Sequence, residues 1–174
     1  QQLANLALDY LRRRPNDGTA IAEATVAYQN LGDTRKLVDF GSKLYNDSPN
    51  ATTAYFVAKA YQSLNDQANF RKWGQRVVRH DSNNLQFLVE LSQSYWRAND
   101  FDNTVTYAKQ ALQATEKAKK PDSQTDAQWS AQLNQFRGFC YRALGEADYM
   151  NTNNTAARGN FEKSVEFDVK NDFA

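Results

Sequence analysis

The sequence has one cysteine, one histidine and one methionine in 174 residues, with only 3 prolines and 7 glycines. Cys140 alone cannot form an internal disulfide and carries no information on redox compartment. His80 has no second histidine to share a metal ion with, and no reactive-cysteine pattern to serve as a general base. The scarcity of proline and glycine leaves room for long uninterrupted elements. No apolar stretch approaches the roughly 20 residues that span a bilayer, so no membrane span is expected, and no signal-peptide pattern stands at the start. A formal net charge of +1 gives no bulk attraction to nucleic acid or to an acidic membrane. No phosphate-loop glycine pattern and no metal-spaced cluster is present, so neither a cofactor nor a metal is expected.

What the chain does have is repetition. Tyr28-x-x-Leu31-Gly32-Asp33 recurs as Tyr61-x-x-Leu64-Asn65-Asp66 and as Tyr95-x-x-Ala98-Asn99-Asp100, with a looser fourth copy at Tyr141-x-x-Leu144-Gly145-Glu146. The tyrosine intervals are 33, 34 and 46 residues. Pro15 and Pro49 keep the same beat, and Ser82 takes the third slot. A period near 34 with helical sequence on both sides of a short turn marks a stacked array of helix hairpins. Hydrophobic residues at 41% against 24% charged suit a globular chain. The length suits a single domain, 1–174. Asn-x-Ser/Thr triplets at Asn46, Asn50 and Asn153 are what a chain rich in these residues gives by chance.

Apolar and small residues fall at helical spacing around each turn. Small residues stand at one register before it (Thr25, Ala58, Ser92) and at another after it (Gly41, Gly74, Ala108). Two closely packed helices need a small side chain where their backbones approach. Glycine inside a helix costs roughly 1 kcal/mol relative to alanine, so its repeated use signals a packing demand.

This pattern resembles the tetratricopeptide repeat (TPR) family, most specifically in the segment from Asp100 through Ala108 and Ala111 to Leu112. About three and a half to four repeats are covered. The sequence departs from the family where a tryptophan is usual, with Ile21, Ala54 and Leu88 standing there. The resemblance implies an all-α fold, a right-handed superhelical solenoid of antiparallel helix pairs. Residues 1–15 read as the second helix of a partial repeat, aligned through Leu3, Ala7 and Tyr10. Repeats follow at 16–50, 51–84 and 85–120, the last with an elongated second helix. An irregular repeat spans 121–174. Its insertions place a helix stop at Pro121, a restart near Ser123-x-x-Asp126, a turn at Gly145–Glu146 and a loop through Asn151–Asn154. The final helix matches through Phe161, Ser164 and Val165. Trp129, Leu133, Phe136, Cys140 and Ala143 form a competing apolar stripe before that turn.

Enzyme readings fail on inventory. His80 is read as a favourable charge at a helix C-terminus, and Cys140 as packing on an apolar face. Arg12–Arg14, the group Arg71, Lys72, Arg76 and Arg79, and Lys117, Lys119 and Lys120 read as solvated surface, because acidic residues offset them. The resemblance instead implies a concave groove lined by the first helices. Its positions here are Ala22, Val26 and Gln29; Tyr55, Lys59 and Gln62; Val89, Gln93, Trp96 and Arg97; and Gln135, Phe139 and Arg142. Aromatics supply contact area at low entropic cost, while Lys and Arg can hold a carboxylate. The expected function is therefore a non-catalytic protein–protein interaction scaffold, binding a protein or peptide segment of acidic character in that groove. The carboxylate clamp of the chaperone-binding members is matched by Lys59 alone. The alternative is structural stacking or oligomerisation, in a larger protein, through uncapped ends marked by Leu3, Leu6, Phe167 and Phe173. An accessory domain of a larger enzyme or sensor is a third reading.

Overall fold

The computed structural model describes residues 6, 9–11, 13–14, 17–30 and 32–169, with backbone only at 21, 22, 25, 28–30 and 169. Residues 6, 9–11 and 13 are helical, and the helices that follow are α1 Gly18–Asn30, α2 Thr34–Asp47, α3 Ala51–Ser63, α4 Gln67–His80, α5 Leu85–Arg97, α6 Phe101–Lys117, α7 Asp126–Met150 and α8 Asn154–Val169. No strand occurs among the described residues. Leu3, Ala7 and Pro15, which carry the expected half-repeat, and Phe173 lie outside them. The chain divides into two compact units, Gln1–Ser82 with α1 to α4 and Asn83–Ala174 with α5 to α8.

The repeated turn works by one mechanism in both units. In the first, Asn65 adopts a left-handed φ of 56°. Its N–H donates to the Gln62 carbonyl at 3.0 Å, and the Asp66 N–H reaches back to the Tyr61 carbonyl at 2.9 Å. This double closure terminates α3, and asparagine tolerates the left-handed region better than most side chains. Asp66 then caps α4, its carboxylate accepting from the Asn69 N–H at 3.0 Å and the Asn69 side-chain amide at 2.8 Å. These bonds hold the Asp66 carboxyl below the usual carboxylate range. In the second unit Asn99 (φ 56°) and Asp100 repeat the arrangement, with Asp100 accepting from the Asn103 N–H.

In the irregular repeat the turn lies elsewhere than expected. Thr125, not Ser123, caps α7: its hydroxyl accepts from the Gln128 N–H at 3.2 Å while the Gln128 side chain accepts from the Thr125 N–H at 2.9 Å. The helix then runs 25 residues without interruption through Gly145–Glu146. The left-handed residue is Thr152, φ 60°, with the Asn153 N–H closing on the Asp148 carbonyl at 2.9 Å. The expected turn at Gly145–Glu146 is thus corrected to Asn151–Asn153. Gly145 is small for a different reason: a Cβ there would sit 2.8 Å from the Phe161 ring of α8. An insertion of seven residues is about two helical turns, drifting only ~20°. It therefore left the apolar face in phase and the displacement invisible to pattern matching.

Packing within each unit follows the small registers. In the first, α2 lays Gly41 against Val57 and Phe56 of α3, and Leu37, Val57, Ala58, Phe70 and Val77 are fully or almost fully buried. In the second, the Ser92 hydroxyl donates to the Thr104 carbonyl at 3.1 Å, and Ser164 to the Gly138 carbonyl at 2.9 Å. Both serines are buried, yet each hydroxyl has an acceptor on the neighbouring helix. Tyr95 and Tyr107 stack at 5.5 Å. Arg137 donates to the Thr115 hydroxyl at 3.2 Å, joining the lengthened ends of α6 and α7. Of the residues through which the final helix matches the repeat, Ser164 is buried and Val165 is 60% exposed. One expectation needs correcting here. Phe167 is half-buried rather than uncovered, because it stacks on Tyr141 at 5.7 Å.

Two glycine substitutions should therefore have opposite signs. A Cβ at Gly41 would lie 2.5 Å from Val57 and 2.9 Å from Phe56, both buried. Overpacking of about 1–3 kcal/mol then exceeds the helix-propensity gain, and Gly41→Ala should destabilise. At Gly159, inside α8, nothing lies within 4 Å of such a Cβ, so Gly159→Ala should stabilise by about 0.5–1 kcal/mol. Urea unfolding of the two variants against the wild type checks both signs.

Candidate functional site

In the first unit the residues expected to face a partner lie on α3 and α1. Tyr55, Lys59 and Gln62 are brought together along one side of α3. The Lys59 ammonium donates to the Gln62 side-chain carbonyl at 3.1 Å and stands 5.7 Å from the Tyr55 ring centroid. Tyr55 is 41% exposed, so its ring is available as a surface under a cation. Val26 on α1, which packs against α3, is also exposed. The side chains of Ala22 and Gln29 lie outside the described residues.

In the second unit the corresponding face is carried by α5 and α7, which touch each other. Val89 leaves the expected set: it is 2% exposed, because α5 buries residues on most of its sides, among them Leu88, Leu91 and Tyr95. Trp96 is half-buried, and its indole N–H donates to the Glu146 carboxylate of α7. This bond crosses between the two helices and fixes the orientation of the indole. Phe139 is half-buried with the Arg142 guanidinium 5.7 Å above its ring centroid. Gln93 is half-buried, and Arg97 and Gln135 are exposed.

Two residues of this face escaped the sequence reading. Gln135, Phe139, Arg142, Glu146 and Tyr149 fall at intervals of three and four along α7, one stripe of an unbroken helix. The sequence reading makes Glu146 a turn residue and gives Tyr149 no role, because it places the turn too early. The signal available was the seven-residue spacing from Phe139 to Glu146 and from Arg142 to Tyr149, which keeps one face. The face thus carries a carboxylate at its centre, already engaged by the indole, beside the cations Arg97 and Arg142.

The remaining candidates have structural settings. His80 ends α4, and its Nε2 lies 2.9 Å from the Tyr45 hydroxyl of α2. Tyr45 meets Trp73 edge-on at 5.1 Å, and Arg76 covers both rings, 4.0 Å from the Trp73 centroid and 5.2 Å from that of Tyr45. Arg76 of the basic group on α4 is therefore part of an aromatic stack between α2 and α4. Cys140 is fully buried. Among the described residues no group of His, Cys, Asp and Glu could hold a metal ion, and no helix is long and apolar enough to cross a membrane.

Helix pairs of this geometry, joined by left-handed turns at a repeat of about 34 residues, define an all-α solenoid of the TPR-like kind. The solved structures it matches include several of MamA. One covers 98% of this chain and 90% of its own, with a TM-score of 0.66 at 14% sequence identity. Another matches with a TM-score of 0.63 at 15% identity, over 96% of this chain and 81% of that one. A piece of MamA from Desulfovibrio magneticus RS-1, running from residue 41 to its end, matches at 0.59 and 15% identity, over 97% and 85%. At such identities the likeness is one of fold. No family model matches the sequence, and no curated protein matches it significantly.

Burial pushes the Cys140 thiol up to about 12, so it stays protonated and unreactive in the folded chain. Labelling by a thiol reagent at pH 8 should be slower by about 100-fold or more than in the unfolded chain. Because its folded value is raised, the Cys140 thiol adds stability below its unfolded value of about 9, and that contribution is lost as pH rises from 9 towards 12. Comparison with Cys140→Ala over that range should show the wild type losing stability faster.

Proposed function

We propose that this chain is a non-catalytic protein–protein interaction scaffold whose second unit binds a peptide segment of acidic character across α5 and α7. The observation that carries the reading is the pairing of half-exposed aromatics with cations on the first helices, Arg142 over Phe139 and, in the first unit, Lys59 over Tyr55, with Arg97 exposed one residue after Trp96. Aromatic surface already held in place gives contact area without much ordering cost on binding. Trp96 meets that condition through its bond to Glu146. Arg97 and Arg142 outnumber the one carboxylate of the face, Glu146, which favours carboxylates over ammonium groups in an incoming chain. The same face lacks an activated nucleophile: Cys140 is buried and His80 is engaged by Tyr45 in the other unit. The role therefore rests on contact area and charge rather than on bond making. A stack of helix pairs, the fold shared with the MamA structures, suits a role of surface contact.

A peptide array spanning acidic, neutral and basic sequences, followed by fluorescence anisotropy of the best binders, tests this. Acidic peptides should bind, with affinity falling as salt rises. Trp96→Ala should weaken binding to the second unit by roughly tenfold or more, while Lys59→Ala should weaken only peptides held by the first. Binders whose affinity survives both substitutions, or a preference for basic peptides, would refute the assignment.

A further inference from the structure

Along α8 the second unit carries a hollow that the repeat packing does not fill. It is open to solvent, has a volume of about 620 Å³ and is lined by Asn154, Ala157, Arg158, Phe161, Glu162 and Val165, with Tyr149 of α7 as its side wall. The α8 residues fall at intervals of three and four, the spacing with which a helix receives another helix. Val165, Tyr149 and neighbouring Met150 are 60%, 63% and 60% exposed. Counted from the left-handed residues Asn99 and Thr152, the exposed part of this stripe, Asn154, Arg158 and Val165, is the counterpart of Phe101, Val105 and Leu112 on α6. Those three are half-buried, in a helix on which α7 packs. The face of α8 is thus a continuation of an interface already used once within the unit.

We propose that the occupant is a second copy of this chain, packed α8 against α8 in antiparallel fashion about a twofold axis. The pattern of the stripe is self-complementary under that operation. Arg158 and Glu162 lie one turn apart and pair with each other at 2.8 Å in the single chain. A twofold axis level with their midpoint places Arg158 opposite Glu162 of the second copy, and Glu162 opposite its Arg158. The same axis brings the two Phe161 rings within a turn of each other. Tyr149 lies beside the start of α8, at the end of the hollow opposite to Val165. Reversal of the partner therefore sets Tyr149 on Val165 of the second copy, apolar against apolar. A parallel arrangement would instead stack Arg158 on Arg158 and Glu162 on Glu162. A standard interface buries roughly 800 Å² per partner, and one helix face with a flanking tyrosine and methionine offers only part of that. The expected dimer is consequently of micromolar rather than nanomolar affinity. This face differs from the one assigned to peptide binding, and the inference does not depend on that assignment.

Sedimentation velocity on the full chain, from about 1 to about 200 µM, should show a reversible monomer–dimer equilibrium. Val165→Lys should abolish the dimer while leaving the circular dichroism unchanged. Arg158→Glu and Glu162→Arg singly should each weaken it by roughly tenfold, since each places like charges at both symmetric contacts. The double exchange should restore most of the affinity, which a nonspecific apolar contact would not do. A chain that stays monomeric throughout overturns the proposal. So does a dimer indifferent to Val165→Lys, or single charge reversals that the double exchange fails to rescue.

Discussion

Each chain reversal inside the repeats depends on one residue held in the left-handed region. Gly32, Asn65, Asn99 and Thr152 occupy that conformation at φ between 56° and 66°. At Asn65, Asn99 and Thr152 the next residue's N–H closes the finished helix by bonding five residues back. At Asp66 and Asp100 that residue's carboxylate then opens the following helix by accepting the free N–H of its third residue. One residue therefore terminates one helix and starts the next, leaving little freedom in the angle between them. Thr152 is the costly instance, since a β-branched residue in this region is strained by about 1–2 kcal/mol. Closure of α7 on the Asp148 carbonyl holds it there.

With the angle fixed, the helices must approach at set places, and the problem is solved in more than one way. Gly41 has no side chain where Val57 and Phe56 fill the space. Ser92 and Ser164 keep a hydroxyl but direct it to carbonyls of the neighbouring helix. Gly145 does as Gly41 does, leaving out a side chain where the Phe161 ring of the neighbouring helix fills the space. The combined volume at the contact, rather than the identity of either residue, is what the geometry requires.

This distinction explains what was legible in the sequence. The turns at Asn65 and Asn99 and the small registers at Ala58 and Ser92 were readable, because turn chemistry and close approach restrict residue choice. In the irregular repeat the run Asn151–Asn154 was readable as a loop but not as the repeat's own turn, because Gly145 imitates that turn's signature. Most of the candidate face survived that error, since two helical turns keep Gln135, Phe139 and Arg142 in phase with Glu146 and Tyr149. Val89 was misplaced because register alone does not say how much of a helix its neighbours cover. The Trp96–Glu146 bond was beyond reach, as it joins residues 50 apart in the chain through the packing of α5 on α7.

A repeat array presents equivalent surfaces, so discrimination between partners must come from where equivalence fails. In this chain it fails at α7, 25 residues long where α5 has 13. The counterpart of α5 within it is Gly138–Met150, and Asp126–Arg137 is an extension that meets the lengthened end of α6 through Arg137 and Thr115. Gln135 belongs to the extension, while Arg142, Glu146 and Tyr149 belong to the regular part. One continuous helix thus carries the amide, the aromatic–cation pair and the carboxylate that orients Trp96. Had the chain turned at Gly145, Glu146 would sit in a loop and the indole would lack its acceptor. The uninterrupted helix is therefore the structural condition for the face, and the same length carries Tyr149 out beside α8, where it becomes the wall of the open hollow.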